Sequence, residues 1–99
     1  MSDTDTMLHL VAYDISSDRL RTKIHKLLER YGSWTQFSLF ECFLSHRQSI
    51  KLIDEITALL QTIKDDSSHV RFYIMSRDDA QRTVTIGGEP PHEAEVFIT

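Results

Sequence analysis

Asp14 has the clearest chemical potential in this sequence. It ends the apolar run Met7-Leu8-His9-Leu10-Val11-Ala12-Tyr13 and precedes the polar stretch Ile15-Ser16-Ser17-Asp18. A carboxylate at the mouth of a buried strand can serve as a turn or helix-cap residue. The alternative is a ligand for a hard cation, since Mg²⁺ takes oxygen donors and is commonly held by one or two carboxylates plus water. A second signal follows directly. Arg19, Lys23, Lys26 and Arg30 recur at i, i+4, i+7 and i+11, so at roughly 100° per residue they share one helical stripe. With Arg21, residues 19–30 hold five basic side chains against Glu29, a local +4. The net charge is -4, so the rest of the chain totals -8. Like charges at this spacing repel one another. Pairing within the helix therefore does not explain the stripe, whereas a nucleic-acid backbone does.

Other groups carry less. Asp65-Asp66 and Asp78-Asp79 read as turns, and Asp54-Glu55 as the solvated side of a helix. His9, His25, His46, His69 and His92 form no H-x-x-x-H or H-E-x-x-H pattern, which argues against zinc chemistry. Cys42 lies in an aromatic stretch and reads as a small buried hydrophobe. Gly87-Gly88 lacks the spacing of a phosphate loop.

The elements that must position Asp14 and the stripe follow from periodicity. Residues 7–13 form a short apolar strand. Ser16 or Ser17 caps a helix whose apolar stripe is Leu20, Ile24, Leu27, Leu28 and Tyr31, with Gly32 as its C-terminal cap. Residues 34–44 favour extended structure but are long for one strand, so a kink or tight turn falls near Ser38. Ser45 and Gln48 make a capping box, and Ile50, Ile53, Ile56, Leu60 and Ile63 form the apolar face of the second helix. Val70–Met75 reads as a strand, Arg77-Asp78-Asp79 as a turn, Thr83–Ile86 as a short strand, and the terminal EVFIT as a further one. The order β-α-β(β)-α-β predicts an α+β, ferredoxin-like βαββαβ domain with extra short C-terminal strands. It spans 1–99, with 1–6 as a flexible N-terminus and 87–99 as a C-terminal extension. Two helices cover one sheet face. The bare second face predicts a homodimer.

Composition sets the outer limits. The chain has 99 residues and 11.5 kDa, enough for one domain. No apolar run approaches the ~20 residues that span a bilayer. MSDTDT lacks the basic and apolar regions of a signal peptide, and a single cysteine excludes a disulfide framework. These features predict a cytoplasmic protein with no membrane partner. A pI near 5.6 speaks at first against nucleic acid, but the +4 segment reverses that inference.

Two segments then combine into a resemblance. Tyr13-Asp14-Ile15-Ser16-Ser17-Asp18-Arg19-Leu20-Arg21 and Gly32-Ser33-Trp34-Thr35-Gln36-Phe37-Ser38-Leu39-Phe40-Glu41-Cys42 together resemble the CRISPR-associated protein 2 family. Val70-Arg71-Phe72-Tyr73 resembles its later strand, so the match covers roughly residues 7–86. The resemblance implies a ferredoxin-like homodimer in which Asp14 of both copies holds one shared Mg²⁺. It implies an endonuclease acting on RNA or DNA phosphodiesters and a dimeric scaffold that holds DNA for the CRISPR integrase during spacer acquisition. By position, Tyr13, Arg21, Ser38 and Phe40 match residues around that site: Arg21 as a phosphate clamp, Ser38 as a phosphate or water contact, and Phe40 as a stacking, interface or core ring. Where family members often carry a basic residue this chain has Trp34, for packing in the core or stacking on a base. The scaffold role without nuclease activity, and a ferredoxin-like small-ligand sensor, are the alternatives.

Overall fold

Strand β1 (Met7–Asp14) is the middle of the fold, and its near-continuous apolar run reflects burial on both sides. In a computed structural model that describes residues 6–63 and 67–87, the elements after it are α1 (Asp18–Glu29), β2 (Ser33–Gln36), β3 (Leu39–Leu44), α2 (His46–Leu60), β4 (His69–Met75) and α3 (Arg77–Gln81). The sheet order is β2-β3-β1-β4 and all neighbouring pairs are antiparallel. This is the ferredoxin-like arrangement the sequence predicts.

Alternation along β1 separates two cores. Val11 and Tyr13 face α1 and α2, together with Phe40, Cys42 and Leu44 of β3. Leu8 faces the other side, against Phe43 and Ala80. Helix α1 forms because Ser17, not Ser16, caps it: the Ser17 hydroxyl accepts from the Leu20 amide at 3.2 Å, and Asp18 lies at the positive end of the dipole. Leu20, Ile24, Leu27 and Leu28 bury its apolar stripe, each contributing about 1.5–3 kcal/mol over exposure. Tyr31 packs at the edge of that core. The capping box of α2 is present, with Ser45 Oγ accepting from Gln48 N (3.2 Å) and Gln48 Oε1 accepting from Ser45 N (2.9 Å). Cys42 is fully buried, and burial pushes its thiol up to about 12.

Several local expectations are corrected. Gly32 is not the helix cap: that position is Arg30, and Gly32 has no positive φ. Its need is space, since a Cβ there would meet the Glu41 carbonyl oxygen and lie 2.5 Å from Cys42 Sγ. On α2, Ile50 and Ile53 are exposed, and the buried face is Ser49, Leu52 and Ile56. Ser49 is drawn inward because its hydroxyl meets buried His9, which polar-apolar patterning does not reveal. Arg77-Asp78-Asp79 opens a short helix rather than a turn, because Ser76 Oγ accepts from the Asp79 amide and two acids fill the first helical turn. Thr83–Ile86 forms no strand: Val84 and Ile86 stand in solvent, with no strand beside them among the described residues. Thr6 falls in the segment predicted as a flexible terminus, yet it is buried and accepts a hydrogen bond from Arg77 Nη1 at 2.8 Å. Asp65-Asp66 and the EVFIT strand lie outside the described residues.

Candidate active site and nucleic-acid interface

Asp14 is the last residue of β1 and is exposed. Its neighbours Tyr13 and Ile15 point into the helix-side core, so alternation turns its carboxylate to the sheet face that carries neither α1 nor α2. Its cross-strand partner is His69. The register is fixed by the fold, and no sequence spacing signals it, so the imidazole opposite Asp14 is a feature that sequence reasoning missed. The rest of this face is built in rows: Glu41, Leu10 and Tyr73, then Leu39, Ala12 and Arg71. Among the described residues no cation pairs with Asp14, and no group of three or more His, Cys, Asp or Glu gathers to hold a metal. Asp14 thus supplies one exposed carboxylate at this end of the sheet. That donor type suits Mg²⁺, and a second copy doubles it.

Three other predicted residues meet at this end of the sheet. The Tyr13 amide donates to the Ser38 carbonyl at 3.0 Å, joining the end of β1 to the β2–β3 turn. A hydrogen bond of 3.0 Å joins the Tyr13 phenol to His25 Nδ1. Burial pushes the Tyr13 phenol above its usual range, while a hydrogen bond with Ser38 and the Arg21 charge pull the other way. Arg21 donates to the Ile15 carbonyl at 3.0 Å and pairs with Asp18 one turn away, which holds its guanidinium beside the end of β1. Phe40 does not join them as a contact residue. It is 0% exposed and its ring packs edge-on to His25, with centroids 5.0 Å apart. Trp34, by contrast, is not core: it is 55% exposed.

The basic stripe occupies a different surface. Arg19, Lys23 and Lys26 are exposed on α1, and Arg30 is exposed at its C-cap. Lys23, Lys26 and Arg30 line a groove of about 630 Å³ between α1 and α2, floored by Leu27, Ala58 and Leu59. Arg30 is partly engaged by Glu55 at 3.6 Å, and Glu55 also accepts from the Tyr31 hydroxyl. Burial, followed by that bond to Glu55, raises the Tyr31 phenol to about 12. The stripe lies on the helical layer, and Asp14 projects from the opposite face of the sheet. Among the described residues, no helix is long and apolar enough to cross a membrane.

Comparisons with known proteins agree with this fold. The family model "CRISPR associated protein Cas2" matches residues 7–83. A protein of Synechocystis sp. named CRISPR-associated endoribonuclease Cas2 1 is 41% identical, over 93% of this chain and 99% of its own. A chain in a solved structure titled "Partial Cas6-RT-Cas1--Cas2 complex" superposes with a TM-score of 0.71 at 28% identity, over 85% of this chain and 94% of that one. Cas2 of Streptococcus pyogenes superposes with a TM-score of 0.65 at 27% identity, over 82% of this chain and 100% of that one.

Proposed function

The chain belongs to the Cas2 family of CRISPR-associated proteins, and from that premise we propose that it works as a homodimer in spacer acquisition, both as a metal-dependent endonuclease and as a DNA-holding scaffold for the CRISPR integrase. The observation that carries the nuclease reading is Asp14: an exposed carboxylate, unpaired among the described residues, on the sheet face without α1 or α2. The same face offers Leu10, Leu39 and half-exposed Tyr73 for packing against a second copy. A two-fold axis passing beside the end of β1 would bring two Asp14 carboxylates to one place. The two Asp14 carboxylates would hold Mg²⁺, which when bound would supply Lewis acidity to the phosphodiester. Arg21, already held at the end of β1, is suited to clamp phosphate oxygens, and Ser38 to donate a hydrogen bond to one. The endoribonuclease name of the Synechocystis relative supports RNA as a substrate, and DNA is the second.

The stripe of Arg19, Lys23, Lys26 and Arg30 holds the duplex backbone on the helical layer, away from Asp14. This separation also favours a second reading, a scaffold that cuts nothing. The superposition on a chain from a complex titled with Cas1 and Cas2 supports the integrase as partner.

The test separates the two surfaces. Asp14→Asn should abolish Mg²⁺-dependent cleavage of RNA and DNA while duplex binding persists. Lys23→Glu with Lys26→Glu should weaken duplex binding and flatten its salt dependence by about 0.9 for each phosphate no longer neutralised. Cleavage by Asp14→Asn at the wild-type rate, or cleavage untouched by EDTA, refutes the nuclease reading. Failure to recover the integrase in a pull-down refutes the scaffold.

A further inference from the structure

We infer that the β2–β3 turn is a stacking platform for unpaired nucleobases, with Phe37 as its ring. The inference rests on the phosphodiesterase reading and names the form of its substrate. Phe37 is 86% exposed and has φ of +48°, in the left-handed region. A bulky residue there is an outlier, because Gly, Asn or Asp enter that region at lower cost. The ring adds nothing to the core, so neither backbone nor burial accounts for a phenylalanine at this position.

The surroundings favour a nucleotide. The turn is held in shape: Trp34 Nε1 donates to the Phe37 carbonyl at 2.6 Å, and Thr35 Oγ1 donates to the Leu39 carbonyl at 3.1 Å. The next residue is Ser38, which is joined to Tyr13 beside Arg21. A cation and a hydroxyl suited to a phosphate therefore lie at the same end of the sheet as an exposed ring. Tyr13 and Phe40, the neighbouring rings on β1 and β3, are buried and unavailable. Aromatic stacking tolerates any sequence because every base has a π-face. That face is open only where the base is unpaired or terminal, so the platform selects single strands and frayed ends over intact duplex.

The test uses the full chain in EDTA, so that binding is read without cleavage. The probes are a single-stranded oligonucleotide carrying 2-aminopurine and a blunt duplex of the same length. Phe37→Asn suits the left-handed turn and should fold as the wild type does, checked by circular dichroism and thermal melting. It should bind the single strand roughly 10- to 100-fold more weakly, with 2-aminopurine quenching lost and duplex affinity within about twofold. Phe37→Tyr should restore the quenching. Equal losses on both probes, or no loss on either, overturn the inference and leave the nuclease reading intact. A change of oligomeric state in Phe37→Asn also overturns it, since the ring would then belong to a contact between copies. Absence of single-strand binding by the wild type in EDTA overturns this inference, and cleavage in Mg²⁺ then decides the nuclease reading separately.

Discussion

Replacing Phe40 with alanine separates a packing role from a ligand-contact role for this ring. Phe40 is 0% exposed and sits between His25 at 5.0 Å and Tyr13 at 6.4 Å, between ring centroids. Removing a fully buried phenyl ring forfeits its transfer free energy and leaves a cavity, about 3–5 kcal/mol together. A domain of this size has roughly 5–15 kcal/mol of total stability. The loss is therefore between a fifth and all of it. Each 1 kcal/mol shifts Tm by about 4–8 °C in a domain of 60–100 residues, so the melt should fall by at least about 12 °C. Equilibrium urea unfolding gives the free-energy change, and anisotropy with an RNA oligonucleotide gives binding. Phe40→Leu keeps most of the volume and should bind as the wild type does. A Phe40→Ala protein with an unchanged unfolding midpoint but weakened binding would refute the packing argument and restore Phe40 as a contact residue.

Three further outcomes follow from the same structure. Ser45→Ala removes half of the α2 capping box and should cost about 1 kcal/mol in urea unfolding, with function unchanged. Gly32→Ala drives a methyl group against the Glu41 carbonyl and Cys42 Sγ. It should cost at least about 1–3 kcal/mol by the same measurement, and a neutral result would mean that β2 and β3 part easily. His9 is buried, bonded to the Met7 carbonyl at 2.9 Å and to Ser49 Oγ at 3.0 Å, with Phe72 edge-on to its ring. Burial lowers its pKa below the ordinary 6.5, so protonation favours the unfolded chain. Its contribution is complete above about pH 6.5 and declines as the pH falls from there toward the folded value. Unfolding free energies measured across that interval should decline, and less steeply in His9→Gln.

The sequence by itself determined whatever local rules or strict periodicity control. The short apolar run of 7–13, the 3.6-residue stripe of α1 and the Ser45–Gln48 box each depend on neighbours within a few positions, so the ferredoxin-like order was readable. Asp14 and the basic stripe were readable as residues for the same reason. Their relation was not. Which sheet face Asp14 occupies, and that the stripe lies on the other side, depend on how β1 packs between β3 and β4. The same long-range packing decides that Phe40 is enclosed while Phe37, three residues earlier, is in solvent. It also draws Ser49 inward to His9 across 40 positions of chain and brings His69 opposite Asp14. Strand register and the choice between two faces are set by contacts far apart in sequence, and a one-residue slip would exchange the faces. Only the tertiary structure carries that information.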